Sequence, residues 1–191
     1  MRPTVPAASP RSSPWNRTSL AAALAAVLLP SLLGCAALSS GHRPVAGDEA
    51  PPVSLESTGG NRISLADYRG KQTVVLAFFP KAFTGGCTKE MKGWGEAFEK
   101  LGAADAKIFG VSTDDLDTQR KFASSLTLPF PLLADPDGTA AKAYGVYTRG
   151  VGLAARTTFV IGADGKVLKV VEGADAIDPA PALEACPRKK G

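Results

Sequence analysis

The stretch TVVLAFFPKAFTGGCTKE, Thr73–Glu90, decides the fold. Its first seven residues, Thr73–Phe79, form an unbroken β-branched and aromatic run. That is the pattern of a central strand covered on both faces. Pro80 must end the strand, because proline gives no N–H to a ladder. A loop with Gly85 and Gly86 follows, and a helix is predicted from Cys87 towards Leu101. Gly93 and Gly95 weaken that helix by ~1 kcal/mol each. A strand, a glycine-bearing loop and a helix with a lone cysteine in its first turn make an α/β unit whose loop carries chemistry.

The flanking sequence extends the same reading. Upstream, PPVSLES and RISL are short strands around the turn TGGN, and LADYRGKQ is a polar connection. Downstream, AKIFGVS is a second buried strand. DDLDTQRKFASSL reads as a helix with Leu116, Ala123 and Leu126 on one face, acids at its start and bases later, as the helix dipole prefers. LPFPLLADPDG is extended and then turns, and TAAKAYGV is a short helix. RTTFVI and KVLKVVEG, joined by GADG, form a hairpin, and a last helix runs from Pro179 to Cys186. The order strand, helix, strand, helix, hairpin, helix predicts an α/β fold with a mixed central sheet and helices on both faces. The thioredoxin-like arrangement fits this pattern, as do other α/β folds.

The beginning of the chain reads differently. Residues 1–17 are rich in proline and serine, with three arginines and no acid, and the apolar run Leu20–Leu33 follows. That run is short for a membrane span, which needs about 20 residues. A basic segment, a short apolar segment and small residues after it read as a signal peptide over residues 1–34. LLGC, Leu32–Cys35, resembles the lipobox of bacterial lipoproteins, in which cleavage precedes a cysteine that then carries acyl chains. The resemblance makes Cys35 the lipid attachment site and the membrane a partner through that anchor. It implies a place in the bacterial cell envelope, facing the extracytoplasmic side. Residues 35–50 have no apolar period and are expected to be the lipidated cysteine and a flexible tether. The folded domain is expected over residues 51–191.

Charge excludes some classes of function. The net charge of +4 comes from the ends: Arg2, Arg11, Arg17, Arg188, Lys189 and Lys190. Without those six, 16 bases face 18 acids. No basic stripe runs through the body, so nucleic acid is not an expected partner. The single histidine, His42, lies in the tether region, which excludes a Cys–His or Ser–His dyad in the domain.

Cys87 is the candidate reactive group. A thiol in the first turn of a helix faces unpaired backbone N–H groups and the positive end of the helix dipole. Both favour thiolate, and such cysteines titrate at ~3.5–7.5 rather than ~8.5 when a cation is also near. Gly85 and Gly86 are expected to give the loop positive φ, and Thr84 can turn its hydroxyl towards the same pocket. The competing reading is a buried structural cysteine. The polar neighbours and the strand-to-helix junction favour reactivity.

Pro80, Thr84 and Cys87 form Pro-x-x-x-Thr-x-x-Cys, which resembles the active-site signature of the peroxiredoxins. FFPKAFTGGCTKEM is similar to the peroxiredoxin Q (bacterioferritin comigratory protein) branch of this AhpC/TSA-like family. GVSTDD, LPFPLLADPDG, AKAYGV and RTTFVIGADGKV follow in the family's order, so the likeness spans roughly residues 48–175. It implies a thioredoxin-like fold and a thiol-dependent peroxidase acting on hydrogen peroxide or organic hydroperoxides. Cys87 would attack the peroxide and become a sulfenic acid. Thr84 would hydrogen-bond thiolate and peroxide, Arg156 would steady the charge, and Pro80 would shield the sulfur. The N–H groups of Gly86 and Cys87 would bind peroxide oxygen. The resemblance implies no metal or organic cofactor, and it sets no oligomeric state.

One departure from the branch concerns recycling. The resolving cysteine of peroxiredoxin Q often stands five residues after the reactive one, and here Lys92 stands there. Cys186 is the remaining possible resolving cysteine, in a terminus expected to fray, with Arg188, Lys189 and Lys190 favouring its thiolate. The expectation is a one-cysteine cycle, in which an external thiol reductant, a thioredoxin-like protein or a small thiol, reduces Cys87 directly. The alternative function is a membrane-tethered thioredoxin-like thiol-disulfide oxidoreductase, which needs Cys-x-x-Cys where this chain has CTKE. A copper carrier of the same fold would need soft ligands beyond Cys87 and Met91.

Overall fold

A computed structural model describes residues 42–187. The strands are β1 (Ser54–Ser57), β2 (Arg62–Ser64), β3 (Thr73–Phe78), β4 (Ala106–Ser112), β5 (Leu132–Ala134), β6 (Tyr147–Thr148), β7 (Leu153–Ala154), β8 (Thr157–Ile161) and β9 (Val167–Glu172). The helices are α1 (Gly85–Glu96), α2 (Phe98–Ala103), α3 (Leu116–Ser125), α4 (Thr139–Ala143) and α5 (Ala180–Leu183). Seven strands form one mixed sheet in the order β2-β1-β5-β4-β3-β8-β9, and β6 and β7 make a separate ribbon. β3, β4 and β5 are parallel neighbours, while β8 and β9 close one side antiparallel.

The run Thr73–Phe79 supplies both cores, as its lack of alternation predicted. Val75, Ala77 and Phe79 point to one face, where they meet Met91, Trp94, Leu101 and Phe122 from α1, α2 and α3. Val74, Leu76 and Phe78 point to the other, against Tyr144, Phe159, Val111 and Leu133. Gly110 in β4 is what lets α1 sit close to the sheet. A Cβ there would stand 2.6 Å from Leu132 Cδ2 and 2.8 Å from Met91 Sδ. A larger residue would force these packed side chains to shift.

Four expectations change. Residues 43–50 are docked, not free. Gly47 N–H donates to Val167 O at 2.8 Å, Val167 N–H to Asp48 O at 2.9 Å, and Ala50 N–H to Gly165 O at 2.9 Å. Arg43 pairs with Glu172 at 2.5 Å. The folded body therefore begins at about Arg43. The helix after Cys87 breaks at Ala97 into α1 and α2. In α3 the buried residues are Gln119 and Phe122, with Leu116, Ala123 and Leu126 only half-buried. The terminal helix is shorter than Pro179–Cys186, covering Ala180–Leu183. The signal, Cys35 and Arg188–Lys190 lie outside the described residues. Among those described, no helix is long and apolar enough to cross a membrane.

Candidate active site

The loop from Pro80 to Thr84 joins β3 to α1 and is pinned from β4. Ala82 N–H donates to Asp114 Oδ2 at 2.8 Å, and Ser112 Oγ donates to the same oxygen at 2.7 Å. Gln119, fully buried on α3, donates to Ser112 Oγ at 2.8 Å and to Leu133 O at 3.0 Å. This polar chain fixes the loop relative to the sheet, and the sequence reading missed it.

The left-handed turn of the loop falls on Phe83, with φ of 63°. Gly85 and Gly86 are not among the positive-φ residues and instead begin α1. That corrects the expectation of positive φ at the two glycines. An aromatic residue in the left-handed region is strained by ~1–3 kcal/mol. Two restraints hold it: the Ala82–Asp114 bond beside it, and the packing of its ring on Phe122 with centroids 5.1 Å apart.

Thr84 is the N-cap residue by position, with extended backbone, yet its hydroxyl donates to Lys81 O at 3.0 Å. It makes no hydrogen bond with Cys87 in this structure, so the expected contact to the sulfur is not present. The first helical bond runs from Thr88 N–H to Thr84 O at 2.8 Å. The N–H groups of Gly85, Gly86 and Cys87 therefore have no acceptor within the helix. Pro80 is half-buried at the end of β3, directly before this loop.

Cys87 is fully buried. Its place beside Arg156 is a consequence of register. In the β3–β8 pair Phe78 lies opposite Thr157, so Arg156, the residue before Thr157, sits at the end of β3 where the loop leaves. Gly173 N–H donates to Arg156 O at 3.0 Å and steadies that backbone. Arg156 Nη2 then donates to Cys87 Sγ at 3.3 Å. The guanidinium lies over Gly86, where a Cβ would stand 3.0 Å from Nη2.

Arg156 Nη1 donates to Glu90 Oε2, a residue the sequence reading did not single out. Glu90 has no exposed surface, and its Oε1 has no hydrogen-bond partner. Burial pushes its carboxyl up from 4.5 to about 8, a rise that pairing with Arg156 only partly offsets. The signal was available. Cys87, Glu90, Met91 and Trp94 are spaced i, i+3, i+4, i+7 and share the buried face of α1. A guanidinium fixed between a thiol and a carboxyl group can offer N–H groups to oxygens bound at the sulfur.

Cys186 differs from expectation. It is buried, with 6% of its surface exposed, in the same apolar cluster as Cys87, and its thiol donates to Ala182 O at 3.5 Å. Burial pushes it up to about 11, against the thiolate expected from a frayed basic terminus. Both cysteines are free thiols.

Known proteins resemble this chain in sequence and in fold. The AhpC/TSA family model matches residues 46–170. A putative peroxiredoxin of Mycobacterium tuberculosis is 39% identical over 128 residues, covering 64% of this chain and 81% of that protein. The crystal structure of peroxidoxin BcpB from the same organism superimposes with a TM-score of 0.70 at 34% identity, over 76% of this chain and 97% of that one. A structure of Xanthomonas campestris peroxiredoxin Q gives a TM-score of 0.61 at 28% identity, over 70% of this chain and 90% of that one.

Proposed function

The chain belongs to the AhpC/TSA family and is a thiol-dependent peroxidase of the peroxiredoxin Q/Bcp type with the thioredoxin-like fold, and from that premise we propose that Cys87 is the residue that reacts with peroxide. The observation that carries this assignment is the 3.3 Å hydrogen bond from Arg156 Nη2 to Cys87 Sγ at a helix N-terminus. The Cys87 thiolate attacks one peroxide oxygen, the O–O bond breaks, and the sulfur becomes a sulfenic acid while the other oxygen takes up one proton and leaves as water or alcohol. Arg156 holds the thiolate and stabilises charge on the oxygens. The free N–H groups at the start of α1, Gly86 and Cys87 among them, donate to a peroxide oxygen. The Thr84 hydroxyl turns from Lys81 O to the bound peroxide, and Pro80 limits water at the sulfur. The membrane-tethered disulfide oxidoreductase reading has no support here, since the chain has CTKE in place of Cys-x-x-Cys.

The test is peroxide consumption by the purified protein with a thiol reductant. Cys87→Ser is expected to abolish it. Arg156→Ala is expected to slow it by roughly 10–100-fold, the equivalent of one charged hydrogen bond of ~1.5–3 kcal/mol, and to lower the ultraviolet thiolate absorbance at fixed pH. Undiminished consumption by Cys87→Ser rejects the assignment.

LLGC after a signal-like segment supports a second part of the reading, acylation at Cys35 and anchoring in the bacterial envelope on the extracytoplasmic side. Two or more acyl chains hold a protein stably at a bilayer, each buried CH₂ contributing ~0.8 kcal/mol. In a host with lipoprotein machinery the mature protein is expected to carry acyl mass beginning at Cys35, and Cys35→Ala to lose it. An unacylated mature wild-type protein refutes the anchor.

A further inference from the structure

The buried cluster at the site contains two groups able to carry negative charge and one cation. Arg156 contacts both Cys87 Sγ and Glu90 Oε2. Cys87 and Glu90 have no exposed surface, and the Arg156 side chain is 13% exposed. If thiolate and carboxylate were both ionised, the trio would carry a net negative charge out of contact with water. Glu90 Oε1 would bear part of that charge without a single donor. An unpartnered buried anion is expensive, whereas a neutral carboxyl group is tolerated at far lower cost. No other charged side chain relieves the cluster. Asp175, on the 3-10 turn Gly173–Ile177 that packs on α1, is exposed, and Glu172 at the end of β9 is bonded to Arg43. Cys186 on the terminal segment is a free thiol bonded to Ala182 O.

We propose that Glu90 holds a proton while Cys87 is a thiolate and gives it up when Cys87 becomes a sulfenic acid, so that the Cys87–Arg156–Glu90 cluster stays neutral through the reaction. Before the reaction the charges are thiolate, guanidinium and neutral carboxyl. Afterwards they are neutral sulfenic acid, guanidinium and carboxylate. The S–O bond forms as the O–O bond breaks, sulfur is oxidised, and the peroxide is reduced. The departing oxygen ends with the Glu90 proton, so thiolate, carboxylic acid and peroxide give sulfenic acid, carboxylate and water or alcohol. Two reductant thiols then yield a disulfide, a second water and the Cys87 thiol, whose proton returns to Glu90. Glu90 keeps its contact with Arg156 in both states and balances the charge of the cluster. The inference rests on Cys87 being the reacting thiol.

Proton counting tests it. The full-length protein is reduced, freed of reductant and placed in weak buffer with a pH indicator. The pH is chosen so that ultraviolet absorbance shows Cys87 ionised in both wild type and Glu90→Gln. One equivalent of hydrogen peroxide is added, and dimedone labelling with mass spectrometry counts sulfenic acid at Cys87. Wild type is expected to take up almost no protons from solution per sulfenic acid formed, and Glu90→Gln close to one. Equal uptake by the two proteins overturns the proposal. An infrared difference spectrum of wild type alone gives a second reading if the variant folds poorly. Peroxide should remove the carbonyl band of a protonated carboxyl group, and a spectrum without that loss also overturns it. Absence of label on Cys87 would instead reject the assignment of the reacting thiol, and this proposal with it.

Discussion

Arg156 lies so close over Gly86 that a methyl group on Gly86 would stand 3.0 Å from Nη2. The neighbouring Gly85 has nothing within 4 Å of the same position. Both residues are helical and neither has positive φ, so alanine costs no backbone strain at either. The two substitutions therefore separate helix propensity from guanidinium position. Gly85→Ala is expected to leave peroxide consumption unchanged and to stabilise the protein by up to ~1 kcal/mol. Gly86→Ala pushes the guanidinium from the sulfur and is expected to slow the reaction about tenfold, equivalent to ~1.4 kcal/mol of lost stabilisation. Steady-state peroxide kinetics and thermal unfolding check the pair. Equal rates in the two variants would show that the contact over Gly86 has no bearing on the sulfur.

Glu90 makes stability depend on pH with a predictable sign. Its folded carboxyl is raised from 4.5 to about 8, mainly by burial. Between those values the native state keeps a proton that the unfolded chain has lost. Stability therefore falls as pH rises through the window, by at most ~1.4 kcal/mol per pH unit from this group. Below the window both states are protonated, and above it both are ionised, so the slope vanishes at either side. Urea unfolding of the reduced protein across the window measures it. Wild type should lose stability relative to Glu90→Gln as pH rises, and parallel curves for the two proteins would contradict the buried-carboxyl account.

The sequence made the fold legible where hydrophobic patterning is strong. The run Thr73–Phe79 announces a strand with two covered faces, and the structure uses alternate residues of it for two cores. The docking of residues 43–50 left no such trace, because Gly47, Asp48 and Ala50 attach through backbone groups that every residue type carries. Arg156 became visible only through the family resemblance. Its approach to Cys87 depends on Thr157 pairing with Phe78, a register that local sequence does not encode. Glu90 was readable in principle from its spacing to Cys87, but a charged residue on a helix ordinarily marks the solvent face. Phe83 hid the turn, since residues with positive φ are sought first among glycines.

Cys186 supplies the last prediction, because the route that returns Cys87 to thiol depends on it. A resolving cysteine must attack as thiolate. Burial holds Cys186 at about 11, and its sulfur is engaged with Ala182 O inside the apolar cluster. At neutral pH such a thiol is ionised to about one part in ten thousand. An external thiol, ionised to a far greater extent, outcompetes it for the sulfenic acid. A disulfide between Cys87 and Cys186 also needs Cα atoms within ~7 Å and both sulfurs released from their present packing. We therefore expect Cys186→Ala to turn over peroxide at the wild-type rate with an added thiol, while losing about 1 kcal/mol of stability from the emptied space. After one equivalent of peroxide and no reductant, dimedone should label Cys87 in the wild-type protein, and Cys186 should remain available to alkylation after unfolding. A Cys87–Cys186 crosslink in the peptide map, together with loss of turnover in Cys186→Ala, would instead establish that the terminal segment opens and resolves the sulfenic acid itself.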